Sequence, residues 1–280
     1  MYNKVNIFVL IILLVFSSCN SGRKQNERDI ASRFNHIEDL IGRNLLNAAK
    51  IELDSIHILH PRAIDARRTA RALQDTILLR ENRRTLAFCD SILPIKRHQA
   101  DSIRRSFRLE KDETYQTVGN FVHRSLRIEQ NLNRNYLRAF VDENANFFLV
   151  SQFTGDRRIN HTSVRVSVGD IFATTDTIPL SSPFNHSFAD NGMHWEMVTF
   201  RNETAREVPV FIAQYADQRI RVALTGDRNA IFVLTDIDKR ALAETYNLWV
   251  AMKDVMMLER EIERATAMIE LINQRSKVER

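Results

Sequence analysis

Residues 248–272 read LWVAMKDVMMLEREIERATAMIELI. Leu248, Ala251, Val255, Leu258, Ile262, Ala265, Ile269 and Ile272 follow one another in alternating steps of three and four. An apolar repeat of 3.5 residues is the mark of a coiled-coil-like seam. Glu259, Arg260, Glu261, Glu263 and Arg264 fill the positions between. Upstream, Thr235 followed by Asp238 reads as a capping box, in which side chains satisfy the free amides of a first helical turn. The spacing therefore predicts one helix from Thr235 or Asp236 to about Ser276. At 1.5 Å per residue it would be roughly 60 Å long.

A stripe of that length needs a partner. The segment from Pro61 to Leu93 supplies Ala66, Ala70, Leu73, Ile77, Phe88 and Ile92 at helical spacing. Proline is accepted in a first helical turn, which suits Pro61. Pro94 is expected to break or kink the helix, with a further helix over Ile95–Glu110. Before Pro61, a shorter hairpin of helices is expected over Arg28–Arg43 and Asn44–Leu59. The spacing of Leu40, Ala49, Leu53, Ile56 and Pro61 resembles a single tetratricopeptide-type hairpin. No second copy follows, and such arrays usually need three or more, so the pattern reads as helix packing. The chain goes out along these helices and returns antiparallel along the last one.

Between the helices the period changes to two. Tyr136–Val141 and Phe147–Phe153 flank a five-residue loop and predict a β-hairpin. Ser163–Val168 turns at Gly169-Asp170 into Ile171–Thr175. Arg219–Leu224 turns at Gly226–Asn229 into Ile231–Leu234, and Asn191-Gly192 leads into a strand over His194–Phe200. Pro209–Ala216 fits a short helix or a strand. Six to eight mainly antiparallel strands are expected, in a small sheet or half-open barrel. The fold class is therefore α+β: an N-terminal helical hairpin and long antiparallel helices, with an inserted, mainly antiparallel β region. The segments are a leader over 1–18, a tether over 19–28, helices over 29–112, the β region over 113–235 and the closing helix over 236–280.

The leader has Lys4, an apolar run from Val5 to Phe16 interrupted only by Asn6, and the small pair Ser17-Ser18. This is the layout of a secretory signal. It is too short for a membrane span, which needs ~20 apolar residues. Phe16-Ser17-Ser18-Cys19 resembles the lipobox of bacterial lipoproteins, with Phe16 where leucine is usual. The resemblance implies cleavage before Cys19, lipidation of its thiol and acylation of the new amino group, palmitate included. Two or three acyl chains anchor stably, at about 0.8 kcal/mol per buried methylene. Asn20–Arg28 is polar and reads as a disordered tether. Surface-exported lipoproteins of the Bacteroidetes resemble one another in an acidic cluster after the cysteine. Arg23 and Lys24 stand there instead, which points to a periplasm-facing outer-membrane location in the bacterial cell envelope. As a whole the chain resembles a group of Bacteroidetes lipoproteins with helices, a β region containing a segment like Ile220-Arg221-Val222…Gly226…Phe232, and a closing helix. That group has no established activity to carry over.

The formal net charge is +5. From Lys96 to Arg138, ten Lys or Arg face five Asp or Glu, which suits a solvated helix face or contact with an anionic surface. Export excludes nucleic acid as the natural partner. With Cys19 acylated, only Cys89 remains, so no intramolecular disulfide forms. Cys89 lies among Leu86, Ile92 and Leu93 and reads as a buried small hydrophobe.

No glycine-rich phosphate loop, nucleophile elbow or His-Glu-x-x-His helix is present. His186, Asp190, His194 and Glu196 have the donor types of a zinc site, if the turn at Asp190-Asn191-Gly192 brings His186 and His194 together. Solvated loop residues are the simpler reading, and no cofactor is expected. Asp-Ser/Thr-Ile recurs at Ser55, Thr76, Ser91, Ser102 and Thr177. This resembles the O-glycosylation sequence of Bacteroidetes envelope proteins. It also suits helices on which Ile faces the core and Asp and Ser face water. Together these features point to a membrane-anchored, non-catalytic scaffold or binding module for an envelope protein or polymer. The alternative is a metal- or ligand-binding protein or enzyme with its site where the β region meets the helices. There His186, His194, Glu196 and His161 are the first residues to consider. Homo-oligomers would form through the C-terminal helix.

Overall fold

The computed structural model describes residues 24–126 and 134–278. The apolar leader and Cys19 lie outside them. The fold is α+β, with ten strands between the long helices among the described residues. The chain divides into two compact units, residues 1–89 with 261–280 and residues 90–260.

In the first unit, α1 (residues 24–42) and α2 (Leu46–Leu59) form the expected hairpin. Asn44 adopts φ 59°, the left-handed conformation that Asn tolerates better than most residues. The Asn44 and Leu45 amides then bond back to the Ile41 and Leu40 carbonyls at 3.1 and 2.8 Å, which closes the end of α1. Residues 24–28 are helical rather than tether. His60 holds this first turn, its Nδ1 lying 2.7 Å from Asn26 Oδ1. Ile37, Leu40, Ala49, Leu53, Ile56, Ala70 and Ile77 form the core. The start of α3 (Ile64–Arg104) and the end of α5 (Asp236–Val278) run antiparallel here, with Arg275 paired to Asp75 at 3.6 Å. Ala265 and Ile272 of the C-terminal stripe are buried.

Two expectations for α3 need correction. The helix does not break at Pro94; it continues to Arg104. A proline costs its helix one amide bond and a clash with the preceding turn. Cys89, Leu93 and Ala100 are nevertheless buried on either side, so packing carries the helix through. Phe88 is not a seam residue but 60% exposed; Cys89 takes the buried position.

In the second unit, α3 ends where the sequence favoured more helix. Phe107–Glu110 becomes strand β1 instead, because pairing with β2 (Asn120–His123) buries Phe107. Tertiary pairing overrides local helix preference at this point. The hairpins appear as expected: β3 (Tyr136–Asp142) with β4 (Phe147–Gly155), β5 (Ser163–Val168) with β6 (Ile171–Thr174), and β9 (Arg221–Thr225) with β10 (Ala230–Val233). Strand β7 (Asn185–Asp190) joins β8 (Met193–Arg201), and Pro209 lies in the short helix α4 (Val208–Gln214). The strands form two antiparallel sheets, ordered β1-β2-β3-β4-β8-β7 and β10-β9-β5-β6, rather than one small sheet or half-open barrel. Their inner faces share one core, from Leu137, Leu149, Val198 and Phe200 to Val164, Val166, Val222 and Leu224. Leu248 and Met252 of α5 join it, and Trp249 Nε1 donates to the Ala145 carbonyl at 3.1 Å.

The start of α5 is capped as its sequence predicts, by Thr235 Oγ1 accepting from the Asp238 amide at 3.2 Å. The Asp238 side chain instead takes both arms of Arg134, at 2.8 and 2.7 Å. Within this unit α3 and α5 are again antiparallel, with Lys96 and Asp254 2.7 Å apart.

Pro94 is exposed, so removing it restores an amide without opening a cavity. Pro94→Ala is expected to raise unfolding stability by about 1–3 kcal/mol, read as a higher denaturant midpoint with unchanged slope. A lower midpoint would mean that the proline geometry is required.

Candidate functional site

Strand β8 carries Glu196 on the face that packs inward with Val198 and Phe200. Only 2% of Glu196 is exposed. A buried carboxylate is tolerated only when its oxygens are hydrogen-bonded, and this one is. Oε1 accepts from the amides of Ile159 and Asn160 at 2.8 and 2.9 Å. Oε2 accepts from the His161 amide and from His161 Nδ1, both at 2.9 Å. Successive amides converging on one anion form a nest, and Asn160 at φ 51° supplies its left-handed step. Burial alone would raise the Glu196 pKa. The bonds from the His161 ring and the three amides outweigh it and hold the carboxyl at about 2.

The chain of contacts goes one step further. His161 Nε2 lies 2.9 Å from Ser151 Oγ on β4. The carboxylate can only accept, so Nδ1 is the donor, and in the neutral ring Nε2 accepts the Ser151 hydroxyl proton. Acid, imidazole and hydroxyl are thus connected in the order of a hydrolytic triad. Access distinguishes the two. Ser151 and His161 are 0% exposed, and Ser151 sits between the sheets. The arrangement is a polar pin through the core, holding β4, β8 and the loop that enters β5. The end of β9 closes over it. Gly226 lies so near the Ile159 and Asn160 carbonyl oxygens that a Cβ there would overlap both. The Thr162 amide bonds to the Thr225 carbonyl at 2.9 Å.

The expected zinc donors do not converge. In the β7–β8 register His186 opposes Met197 and Asp190 opposes Met193, whereas His194 opposes Ala189 and Glu196 opposes Ser187. Opposed residues share a face. His186 and Asp190 therefore point to one side of the sheet and His194 and Glu196 to the other. Glu196 is also fully occupied by the nest. Among the described residues no group of His, Cys, Asp and Glu is placed to hold a metal.

Where α3 and α5 meet the β3–β4 turn, a groove of about 300 Å³ is lined by Arg97, Asp101, Arg104, Glu143, Met252 and Glu259. Its charged side chains each have a partner: Arg97 pairs with Glu259 at 2.7 Å, Arg104 Nη1 with Asp101 at 3.0 Å, and Glu143 accepts from the Gly119 amide at 2.7 Å. None of His161, His186, His194 and Glu196 lines it. A second open groove, about 540 Å³, runs between Lys96, Ser102 and Ile103 of α3 and Tyr246, Asn247 and Asp254 of α5.

The outward face of β7 and β8 is different. Phe188 stacks on Trp195, ring centroids 5.1 Å apart and 7° from parallel. Phe188 is 54% exposed, and Phe184 and Met193 are exposed beside it. β7 is an outer strand of its sheet and is solvent-exposed from His186 to Asp190. Of the Asp-Ser/Thr-Ile triplets, Thr76, Ser91, Ser102 and Thr177 are exposed and Ser55 half-buried, while Ile56, Ile77 and Ile178 are buried. Both readings of the triplets place the residues this way.

No protein-family model, curated protein or solved structure matches the chain. Among the described residues no helix is long and apolar enough to cross a membrane.

Two substitutions probe the pin. Glu196→Gln sets an amide nitrogen against backbone donors. It is expected to cost on the order of 3 kcal/mol at neutral pH, the worth of holding a carboxyl near 2 rather than 4.5. Because the folded pKa is depressed, that stability is complete above about pH 5 and fades as pH falls toward 2. The variant's stability should therefore vary less over this acid range, by urea melts at several pH values. Parallel pH curves for wild type and variant would contradict an ionised pin. Gly226→Ala should destabilise by more than the few tenths of a kcal/mol typical of surface changes, because the opposing atoms are backbone. Unchanged melting would refute the close approach.

Proposed function

We propose that the protein is a membrane-tethered, non-catalytic binding module of the bacterial envelope, held by an acylated Cys19 and engaging a partner protein through the β7 edge. The observation that carries this reading is the exposed Phe188, stacked on the half-buried Trp195, on an outer strand. An edge strand offers unpaired amides and carbonyls to any extended segment that comes alongside. Proteins usually blunt such edges with lysine or proline, and β7 contains neither. Phe184, Phe188 and Met193 would give the incoming strand apolar side chains to pack on.

The tether reading is supported by the leader and by Cys19. Outer-membrane, periplasm-facing placement is supported by Arg23 and Lys24. The seam positions of α5 are buried or half-buried within each unit, so pairing of copies through this helix would have to use other side chains, such as the exposed Met257.

A photo-crosslinking residue in place of Phe188, in the full chain expressed in its native host, is expected to give one discrete adduct. Ser187→Pro, which spoils strand addition, should abolish it. The same probe at Met257 should give none. Matching adduct patterns at both positions, or persistence in the proline variant, would overturn the reading.

A further inference from the structure

The four-stranded sheet also presents an uncovered face, with a different chemistry. Its inner residues Val164, Val166, Val222 and Leu224 are buried in the core. Register sets the outer residues in two rows. Ile231, Ala223, Arg165 and Thr174 lie across one row; Val233, Arg221, Ser167 and Phe172 lie across the next. Neither row contains a carboxylate. Arg165 lies over the Phe172 ring, 3.7 Å from its centroid. Among the described residues neither Arg165 nor Arg221 makes an ion pair, and both are exposed. Phe172 and Ile231 are 54% and 52% exposed, and Val233 is exposed at the sheet border.

We infer that this face docks onto an anionic phospholipid surface. The rows combine two guanidiniums that make no ion pair among the described residues with three large apolar side chains on one sheet face. Guanidinium forks bind phosphate oxygens in pairs. Ile231, Val233 and Phe172 then lie at the level where headgroups give way to acyl chains, as on amphipathic interfacial elements. The Arg165 guanidinium lies over the Phe172 ring, so one side chain places the cation and the apolar ring at the same spot on the face. An acidic protein would also satisfy the two arginines, and vesicle flotation separates it from a lipid surface. The inference does not depend on the β7 reading, because the two surfaces belong to different sheets.

The test is flotation of the full chain with vesicles of phosphatidylcholine alone or with one-third phosphatidylglycerol. Attachment through the N-terminal leader or an acylated Cys19 would be common to both vesicles, so the readout is the anionic-to-neutral ratio. Each basic residue near an anionic surface is worth ~1 kcal/mol, so Arg165→Glu with Arg221→Glu should lower that ratio by about tenfold or more. Arg165→Gln with Arg221→Gln, which keeps shape without reversing charge, should lower it in the same direction. Wild-type preference should also fall as salt rises. Arg68→Glu with Arg71→Glu, an exposed pair on α3, should leave the ratio unchanged. The inference is overturned if wild type shows no anionic preference, the result expected of a face made for an acidic protein. It is equally overturned if the α3 control loses as much as the sheet variants.

Discussion

A carboxylate placed between two sheets governs this fold. Removing it from water costs several kcal/mol unless every lone pair finds a donor. Glu196 meets that demand with the amides of Ile159, Asn160 and His161 and the His161 ring. The donors come from the loop that carries the chain from the six-stranded sheet to the four-stranded one. The anion therefore ties the two sheets at one point and sets where β5 begins. Ser151 on β4 and Gly226 at the end of β9 are fitted around that point, one by hydrogen bonding and one by having no side chain. Hydrophobic burial supplies the gross stability here; the polar pin selects one alignment among the many that apolar faces would permit.

The pin also shows why connectivity alone does not make a catalytic site. Ser151, His161 and Glu196 have the distances and the order of a hydrolytic triad, but their surroundings give them structural work. The carboxylate orients an imidazole that in turn bonds the buried Ser151 hydroxyl, which also lies 3.4 Å from the Val198 carbonyl oxygen. The desolvation cost of the three side chains is offset by their bonds to one another together with the loop amides and the Val198 carbonyl. The two surfaces we propose for contact with partner and membrane lie elsewhere, on the outer faces of the two sheets. One is aromatic beside an open edge, and the other is cationic and apolar.

Much of the architecture is readable from residue periodicity. The closing helix, the capping role of Thr235 and the hairpins β3–β4, β5–β6 and β9–β10 all follow from local patterns. The misreadings arise where nonlocal pairing decides. Phe107-Arg108-Leu109-Glu110 alternates for only four residues, too short to stand out from the helix it follows, and β2 recruits it. Asn185–Asp190 is too polar to announce a strand and is held by β8. Pro94 marks a break locally, whereas buried neighbours on either side sustain the helix. The candidate site was less legible still. His161 and Glu196 can be named from sequence, but their union cannot, because 35 residues separate them. Ser151 looks like one more outward polar residue until the register sets it opposite Val198. The zinc reading failed for a related reason: an alternation of two, once paired, sorts the four donors onto opposite faces.

The central claim is that the Glu196 carboxylate locks the loop amides into the core, and amide-resolved hydrogen exchange tests it most directly. The account predicts that the amides of Ile159, Asn160 and His161 exchange as slowly as those of β4 and β8, although they belong to a loop. Exchange of these amides at rates typical of open loops would contradict it.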